Sequence, residues 1–371
     1  MVVDPQSLKS YGHAAAGHAG TMSDEDGKLF IKPCVQAEID FYETAKRDHP
    51  ELSDLMPEYM GTLSLSTLDE ASEAVAAVVS DNDNVKTDKD QITAAVSKQI
   101  SAGNAAPETA PAAENEWVPT KGGKISTNKA VVLVNNTYGF KKPNILDVKL
   151  GVRLWADDAP EKKKAKFDKI SEETTHRNFG FRIAGMRMYK GSDNPADLDD
   201  EDYRVYDKDY GRFAVNDNNL VSEFRHFVFN KNAGIDKELG QAVCKAFVQT
   251  VDNVEEVLSQ NETRMYSASL LFVFEGDGKA LRSAIEKNNS IVDSVSDRLL
   301  TTKRVDSGIA IEDEESDEDL TESAMNSLPP IFSVKLIDFA HATWVPGQGP
   351  DENMLKGVRS VRNIFQTLAT E

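Results

Sequence analysis

Cysteine is nearly absent from this sequence: Cys34 and Cys244 are the only two among 371 residues. Two isolated thiols support neither a disulfide framework nor a cysteine metal site, and they fit a reducing compartment, nucleus and cytoplasm. Long apolar runs are missing as well. Nothing approaches the ~20 residues of a membrane span, and the N-terminal stretch MVVDPQSLKS lacks the basic-then-apolar pattern of a signal peptide. The six histidines show no HExxH-type metal spacing. Basic charge is in deficit, 42 Lys and Arg against 62 Asp and Glu for a net −20, so direct nucleic-acid binding is not expected. The chain also has no Gly-x-Gly-x-x-Gly run and no His-Arg-Asp catalytic loop, which disfavours a protein kinase.

What is present is a globular chain interrupted by polar stretches. Residues 10–33 read as strand, tight turn and strand, ending in KLFIKP. A short helical pattern follows at Ile39, Phe41, Tyr42 and Ala45, then a strand region at 55–65. From 66 to 117 the composition turns to Ala, Ser, Thr, Asp, Glu and Asn, as expected of a flexible insertion. Apolar, β-branched runs at 130–136, 143–151, 179–189, 266–276 and 331–341 predict strands. Leu239, Val243, Phe247, Val251, Val254 and Leu258 recur at three- and four-residue spacing and predict an amphipathic helix. Met354, Val358, Val361, Phe365 and Leu368 predict a closing helix with Asp351 as its N-cap. Residues 312–322 hold eight acids and no base, within a second expected flexible insertion at 303–328. The expected class is α+β and two-lobed, divided at about residues 1–136 and 137–371.

Four clusters could carry chemistry. In PNILDVKLG, 143–151, the two-residue period places Asp147 and Lys149 on one face of a strand. They could be a structural ion pair or a charged floor for a ligand. Lys32 ends a strand behind the small-residue turn AAAGHAGT, whose glycines let backbone N–H groups approach phosphates. A plain hairpin with an exposed lysine would read the same way. Asp338 and His341 close the strand KLIDFAH, and an Asp-Phe-small turn there suits a Mg²⁺–nucleotide site. EKKKAKFDK, 161–169, sets Lys162, Lys166 and Lys169 on one helical face. That face is either merely solvated or a cradle for a small polyanion. With Phe167 as its only aromatic, it is a poor nucleic-acid surface.

Together these residues resemble a known family. Pro143, Asp147, Lys149 and Gly151 match the P-x-x-x-D-x-K-x-G signature of the inositol polyphosphate kinases. Ser269-Leu270-Leu271 is similar to that family's S-S-L-L box, with Ala268 in place of the first serine, and Ile337 to His341 match I-D-F-A-H. The stretches AAAGHAGTMSDEDGKLFIKP and GPDENMLKGV also look like family segments, and the likeness is greatest to fungal multikinases. The resemblance implies a two-lobed, protein-kinase-like (ATP-grasp-like) fold and transfer of the ATP γ-phosphoryl to hydroxyls of inositol trisphosphate and tetrakisphosphate. It implies Lys32 on the ATP phosphates, backbone at Val134 and Asn135 as the adenine hinge, and Asp147 on the ATP ribose. Lys149 would lie between inositol and phosphoryl, Asp338 on Mg²⁺ with Ser269 nearby, and His341 with Lys162, Lys166 and Lys169 on the inositol phosphate. A monomer is expected. Two other readings stay open: a scaffold that docks basic transcription-factor partners through the acidic run, and phosphoinositide lipid kinase activity.

Overall fold

A computed structural model describes residues 8–12, 20–64, 127–302 and 328–371. The two stretches expected to be insertions, 66–117 and 303–328, fall outside these residues except for Leu328, as does most of the turn at 14–21. In chain order the elements are β1 (Lys9–Ser10), β2 (Met22–Ser23), β3 (Leu29–Pro33), α1 (Gln36–Asp48), α2 (Pro50–Asp54), β4 (Tyr59–Ser64), β5 (Lys129–Val134) and β6 (Pro143–Leu150). They continue with α3 (Glu161–Glu173), α4 (His176–Phe179), β7 (Phe181–Tyr189), β8 (Tyr203–Tyr206), α5 (Leu220–Val228), α6 (Lys237–Gln260), β9 (Thr263–Met265) and β10 (Ser269–Glu275). Last come α7 (Gly278–Thr302), β11 (Phe332–Ile337), β12 (Ala342–Trp344) and α8 (Glu352–Thr370).

The class is α+β, with two five-stranded antiparallel sheets. One has the order β1-β2-β3-β5-β4 and the other β11-β10-β6-β7-β8. β9 and β12 form a separate ribbon. The strands read from apolar runs appear where the pattern put them. β6 is the central strand of its sheet, and seven of its eight residues are buried, which explains why it reads as a nearly continuous apolar run.

α6 and α8 cover that sheet. All six periodic residues of α6 are buried, and they meet α8 through a ring cluster: Phe247 lies 5.0 Å from Phe365 and 5.1 Å from Phe272. Each fully buried ring contributes roughly 2–3 kcal/mol of apolar transfer. Both helices begin on aspartate caps: Asp236 accepts from the Leu239 amide at 3.0 Å and Asp351 from the Met354 amide at 3.1 Å. The two sheets meet at α2, where Leu336 donates its amide to the Leu55 carbonyl at 2.8 Å. One apolar cluster runs from Phe41 and Leu133 to Phe272 and Phe365. α5 and α7 were not anticipated. The polar stretch 190–220 also hides β8 and a π-helical turn, Tyr210–Ala214, because few of its residues follow a clean period. Among the described residues, no helix is long and apolar enough to cross a membrane.

Candidate active site

The chemistry-bearing side chains gather where β3, β6 and β11 end. Lys32 on β3 is buried, and its Nζ lies 2.7 Å from Glu38 Oε1 and 2.6 Å from Asp338 Oδ1. Burial alone would lower this ammonium's pKa, but Asp338 and Glu38 outweigh it and hold the pKa above its ordinary value. Glu38 belongs to α1, is 1% exposed, and its Oε1 also accepts the Phe339 amide at 3.2 Å. Sequence reading missed it, although a signal exists. Glu38 stands three, four and seven residues before Phe41, Tyr42 and Ala45, in line with the buried stripe. An acid on an apolar face needs a partner, and Lys32 supplies one.

Asp338 is one residue past β11 and adopts φ +70°. This left-handed backbone is uncommon outside glycine, asparagine and aspartate. The segment beyond it is pinned by rings: Phe41 stacks on Phe339 at 5.0 Å and on Trp344 at 5.0 Å, and His49 stacks on Trp344 at 3.9 Å. These contacts tie α1, and with it Glu38, to the turn that carries Asp338.

Lys149 sits opposite Ser269 on β10 and Arg182 on β7. Its Nζ donates to the Ser267 carbonyl at 2.6 Å and lies 4.0 Å from Asp338 Oδ2. Its ion pair is therefore with Asp338 and not with Asp147, which settles the question raised by PNILDVKLG. Asp147 is 4% exposed, and its Oδ1 has no hydrogen-bond partner. Burial pushes its carboxyl up to about 6, with Lys149 pulling it down and Asp338 pushing it up. A bulge between β6 and β7 falls at Asp147/Val148, the kind of irregularity that re-aims side chains beside active sites. Ser269 is fully buried in the row next to Lys149, and its Oγ has no hydrogen-bond partner.

Two arginines missed from sequence extend this floor. Arg182 faces Lys149 across the ladder, and the Nε atoms of Arg182 and Arg212 are both buried without a partner. Burial, reinforced by the Arg212 charge, pulls Arg182 below its ordinary value, while Asp147 opposes this. Arg212 rides on the π-helical turn. That turn presses so closely on β7 that a Cβ on Gly211 would lie 1.9 Å from the Ile183 carbonyl oxygen. The signal for Arg182 was an arginine between two core residues, Phe181 and Ile183, and so on the sheet face that carries Lys149.

The structure alters the reading of the basic helix, α3. Lys163, which was not singled out, is the lysine beside His341, with Nζ 3.2 Å from Nε2. Desolvation lowers the pKa of both groups, and Lys163 lowers His341 further. Lys166 is half-buried. Lys162 and Lys169 are exposed, and Lys169 pairs with Glu173 at 3.7 Å. The inward face thus runs through Lys163, Lys166 and Phe167 to buried Ile170, rotated from the Lys162–Lys166–Lys169 face.

At the expected hinge, the amide of Val134 already donates to the Glu58 carbonyl at 2.9 Å, and that of Asn135 to Lys28 at 2.8 Å. The Asn135 side chain is also engaged. It donates to the Gly27 carbonyl at 2.7 Å and accepts from the Thr137 amide at 3.0 Å and the Tyr11 hydroxyl at 3.2 Å. These bonds tie the end of β5 to the residues just before β3 and β4, neighbouring strands of the same sheet.

Comparison with known proteins agrees with this geometry. The family model described as inositol polyphosphate kinase matches residues 130–366. The inositol polyphosphate multikinase of Saccharomyces cerevisiae is 30% identical, over 95% of this chain and 96% of that protein. The Schizosaccharomyces pombe inositol polyphosphate multikinase is 25% identical over 97% and 98%. The crystal structure of the S. cerevisiae inositol phosphate multikinase Ipk2 with ADP and Mn²⁺ superposes with a TM-score of 0.56 at 27% identity, covering 92% of this chain and 99% of that one. By the matched segment and the full-length likeness, the chain belongs to the inositol polyphosphate kinase family.

Proposed function

We propose that this protein is an ATP-dependent kinase that transfers the γ-phosphoryl group to hydroxyls of inositol trisphosphate and tetrakisphosphate. The observation that carries the reading is the convergence of Lys32, Asp338 and Lys149 at the ends of three strands, with Glu38 of α1 against them. The nucleotide would lie between the sheet built from residues before 136 and the one that follows.

Phosphoryl transfer requires alignment and charge neutralisation more than covalent work by the protein. Lys32, held by Glu38, would engage the nucleotide phosphates. Lys149 would bridge the transferred group and the inositol ring. The residues present fit a divalent cation: Asp338 offers a carboxylate at a strand end, and Asp147 offers a buried oxygen with no partner. Mg²⁺ is commonly held by one or two carboxylates plus substrate phosphates. When bound, the cation supplies neutralisation of phosphate charge, and Asp338 would hold it.

Asp147 suits the transfer centre better than the ATP ribose. Its carboxyl is raised to about 6, it shares a face with Lys149, and Asp338 lies close enough to shift it. It would accept the proton of the attacking hydroxyl as the new P–O bond forms and the bond to the ADP oxygen breaks. The acceptor's existing phosphates would rest on Lys163, Lys166, Arg182 and Arg212, whose charges are partly desolvated and therefore weakly screened, with the neutral His341 ring as a hydrogen-bond donor.

The test is incubation with ATP, Mg²⁺ and a panel of inositol phosphates, with ADP release and product isomers measured. The expected result is ADP release with the trisphosphate and tetrakisphosphate. ATP turnover indifferent to every inositol phosphate would overturn the proposal.

A further inference from the structure

The segment Asp351-Glu352-Asn353 bonds to two stretches of chain that flank Lys149, residues 152–153 and Met265. Asn353 is the second residue of α8, yet its side chain leaves the helix. Its Oδ1 accepts from the amides of Val152 and Arg153, each at 2.8 Å, and its Nδ2 donates to the Arg153 carbonyl at 3.0 Å. Gly151 makes room for it: the backbone there has φ +95°, and a Cβ would lie 2.6 Å from Asn353 Nδ2. Asp351 reaches the other flank, where its Oδ2 accepts the Met265 amide at 2.9 Å. Two residues on from Met265 is Ser267, whose carbonyl receives the Lys149 ammonium.

Residues 151–155 are the first half of the connection from β6 to the basic helix α3, and they are tied down at several points. The Val152 carbonyl accepts from Ser171 Oγ on α3 at 2.6 Å, and the Leu154 carbonyl accepts from Ser267 Oγ at 2.9 Å. Trp155 Nε1 donates to Asp168 of α3 at 2.6 Å, and the Arg153 guanidinium stacks 3.9 Å over the Trp155 ring. Asn353 fixes Val152 and Arg153, near the start of this strap, where its direction is decided.

We infer that Asn353 is a positioning residue for the inositol phosphate. Through the backbone of residues 152 and 153 it sets the spacing between Lys149 on β6 and the lysines of α3. This rests on the kinase reading above. A polyanion held by several point charges at once is sensitive to their separation, and a displacement near 1 Å can cost on the order of 10²-fold. The nucleotide side, built on β3, α1 and β11, has no contact with this strap among the bonds described.

The experiment is steady-state kinetics of Asn353→Ala, with inositol trisphosphate and ATP varied separately, beside the wild type. KM for inositol trisphosphate should rise about tenfold or more, with KM for ATP within about twofold. Asn353→Asp keeps both acceptor bonds and should recover most of the loss. Gly151→Ala, which crowds the asparagine without removing it, should reproduce the same pattern and serves if Asn353→Ala does not fold. A parallel rise in both KM values, or a lowered melting temperature with neither KM changed, would overturn the inference. A wild type idle on every inositol phosphate would instead overturn the kinase reading on which it rests.

Discussion

The centre around Asp338 and the basic helix α3 both carry charge, but the structure fixes them by opposite means. At the centre, Lys32 and Glu38 are at most 8% exposed, and each charge has a partner. On α3 the lysines are spread over more than one face, with Lys163 and Lys166 half-buried and Lys162 and Lys169 in solvent. Burial forces a charge into one geometry because an unpaired charge there is too costly. Exposure imposes no such demand, so orientation on α3 comes only from how the helix is anchored. The strand-borne Lys32 and Lys149 accordingly meet at Asp338, while the inward face of α3 is rotated about a quarter-turn from the Lys162–Lys166–Lys169 face.

The sharpest way to test the paired centre is Asp338→Asn. Asparagine tolerates the left-handed backbone at this position and keeps an oxygen for Lys32, so the chain should still fold, with a lowered melting temperature because Lys32 and Lys149 lose an ion-pair partner. Turnover should fall by at least ~10³-fold; turnover near the wild-type rate would remove Asp338 from the centre.

Asp147→Asn should lower turnover by roughly 10²–10⁴-fold if the carboxylate accepts the hydroxyl proton. In the wild type, kcat should rise with pH through about 6. Stability should move the other way. The folded pKa lies above the unfolded value of about 3.9, so between roughly pH 4 and 6 the folded chain holds a proton the unfolded chain has lost. Stability then falls as pH rises through that window, and the cost of the buried charge is fully present at pH 8. Asp147→Asn should accordingly gain up to about 3 kcal/mol at pH 8 in urea unfolding. A destabilised variant at that pH would show that the charge is compensated.

Glu38→Ala probes the pairing itself. It leaves Lys32 with Asp338 alone and strips the Phe339 amide of its acceptor. The chain should lose about 3 kcal/mol of stability, and kcat/KM for ATP should drop roughly 30-fold. Retention of both would mean that α1 does not order the nucleotide side.

The smallest effect separates the two faces of α3. Lys163→Glu should raise KM for the inositol phosphate about tenfold, whereas Lys169→Glu should change it less than about twofold. Equal responses would return α3 to a generally solvated helix.

Much of the fold was legible because its signals are local. A central strand such as β6 reads as a long apolar run, and α6 and α8 carry unbroken three- and four-residue spacing with aspartate caps. α7 and the π-helical turn were missed because polar residues dilute their period, whereas α5 carries a clean spacing at Leu220, Phe224, Phe227 and Val228 but spans only nine residues behind a polar, turn-rich stretch. Within the site, Lys32, Lys149 and Asp338 stood out as charges at the ends of apolar strands. Arg182 and Glu38 were hidden because each is one polar residue within an apolar pattern, and only its partner shows its purpose.

The sequence by itself determined the α+β class, the strands that end at the site, the shared face of Asp147 and Lys149, and the family signature. These follow from period, composition and adjacency, which are properties of short segments. Only the tertiary structure decided that Lys149 pairs with Asp338 and not with Asp147, that Glu38 completes the pair with Lys32, and that Lys163 is the lysine beside His341. These contacts join residues 6 to 189 positions apart in the chain. Which of them form depends on sheet register, helix rotation and the cost of leaving a buried charge alone, and those are fixed only once the elements are packed.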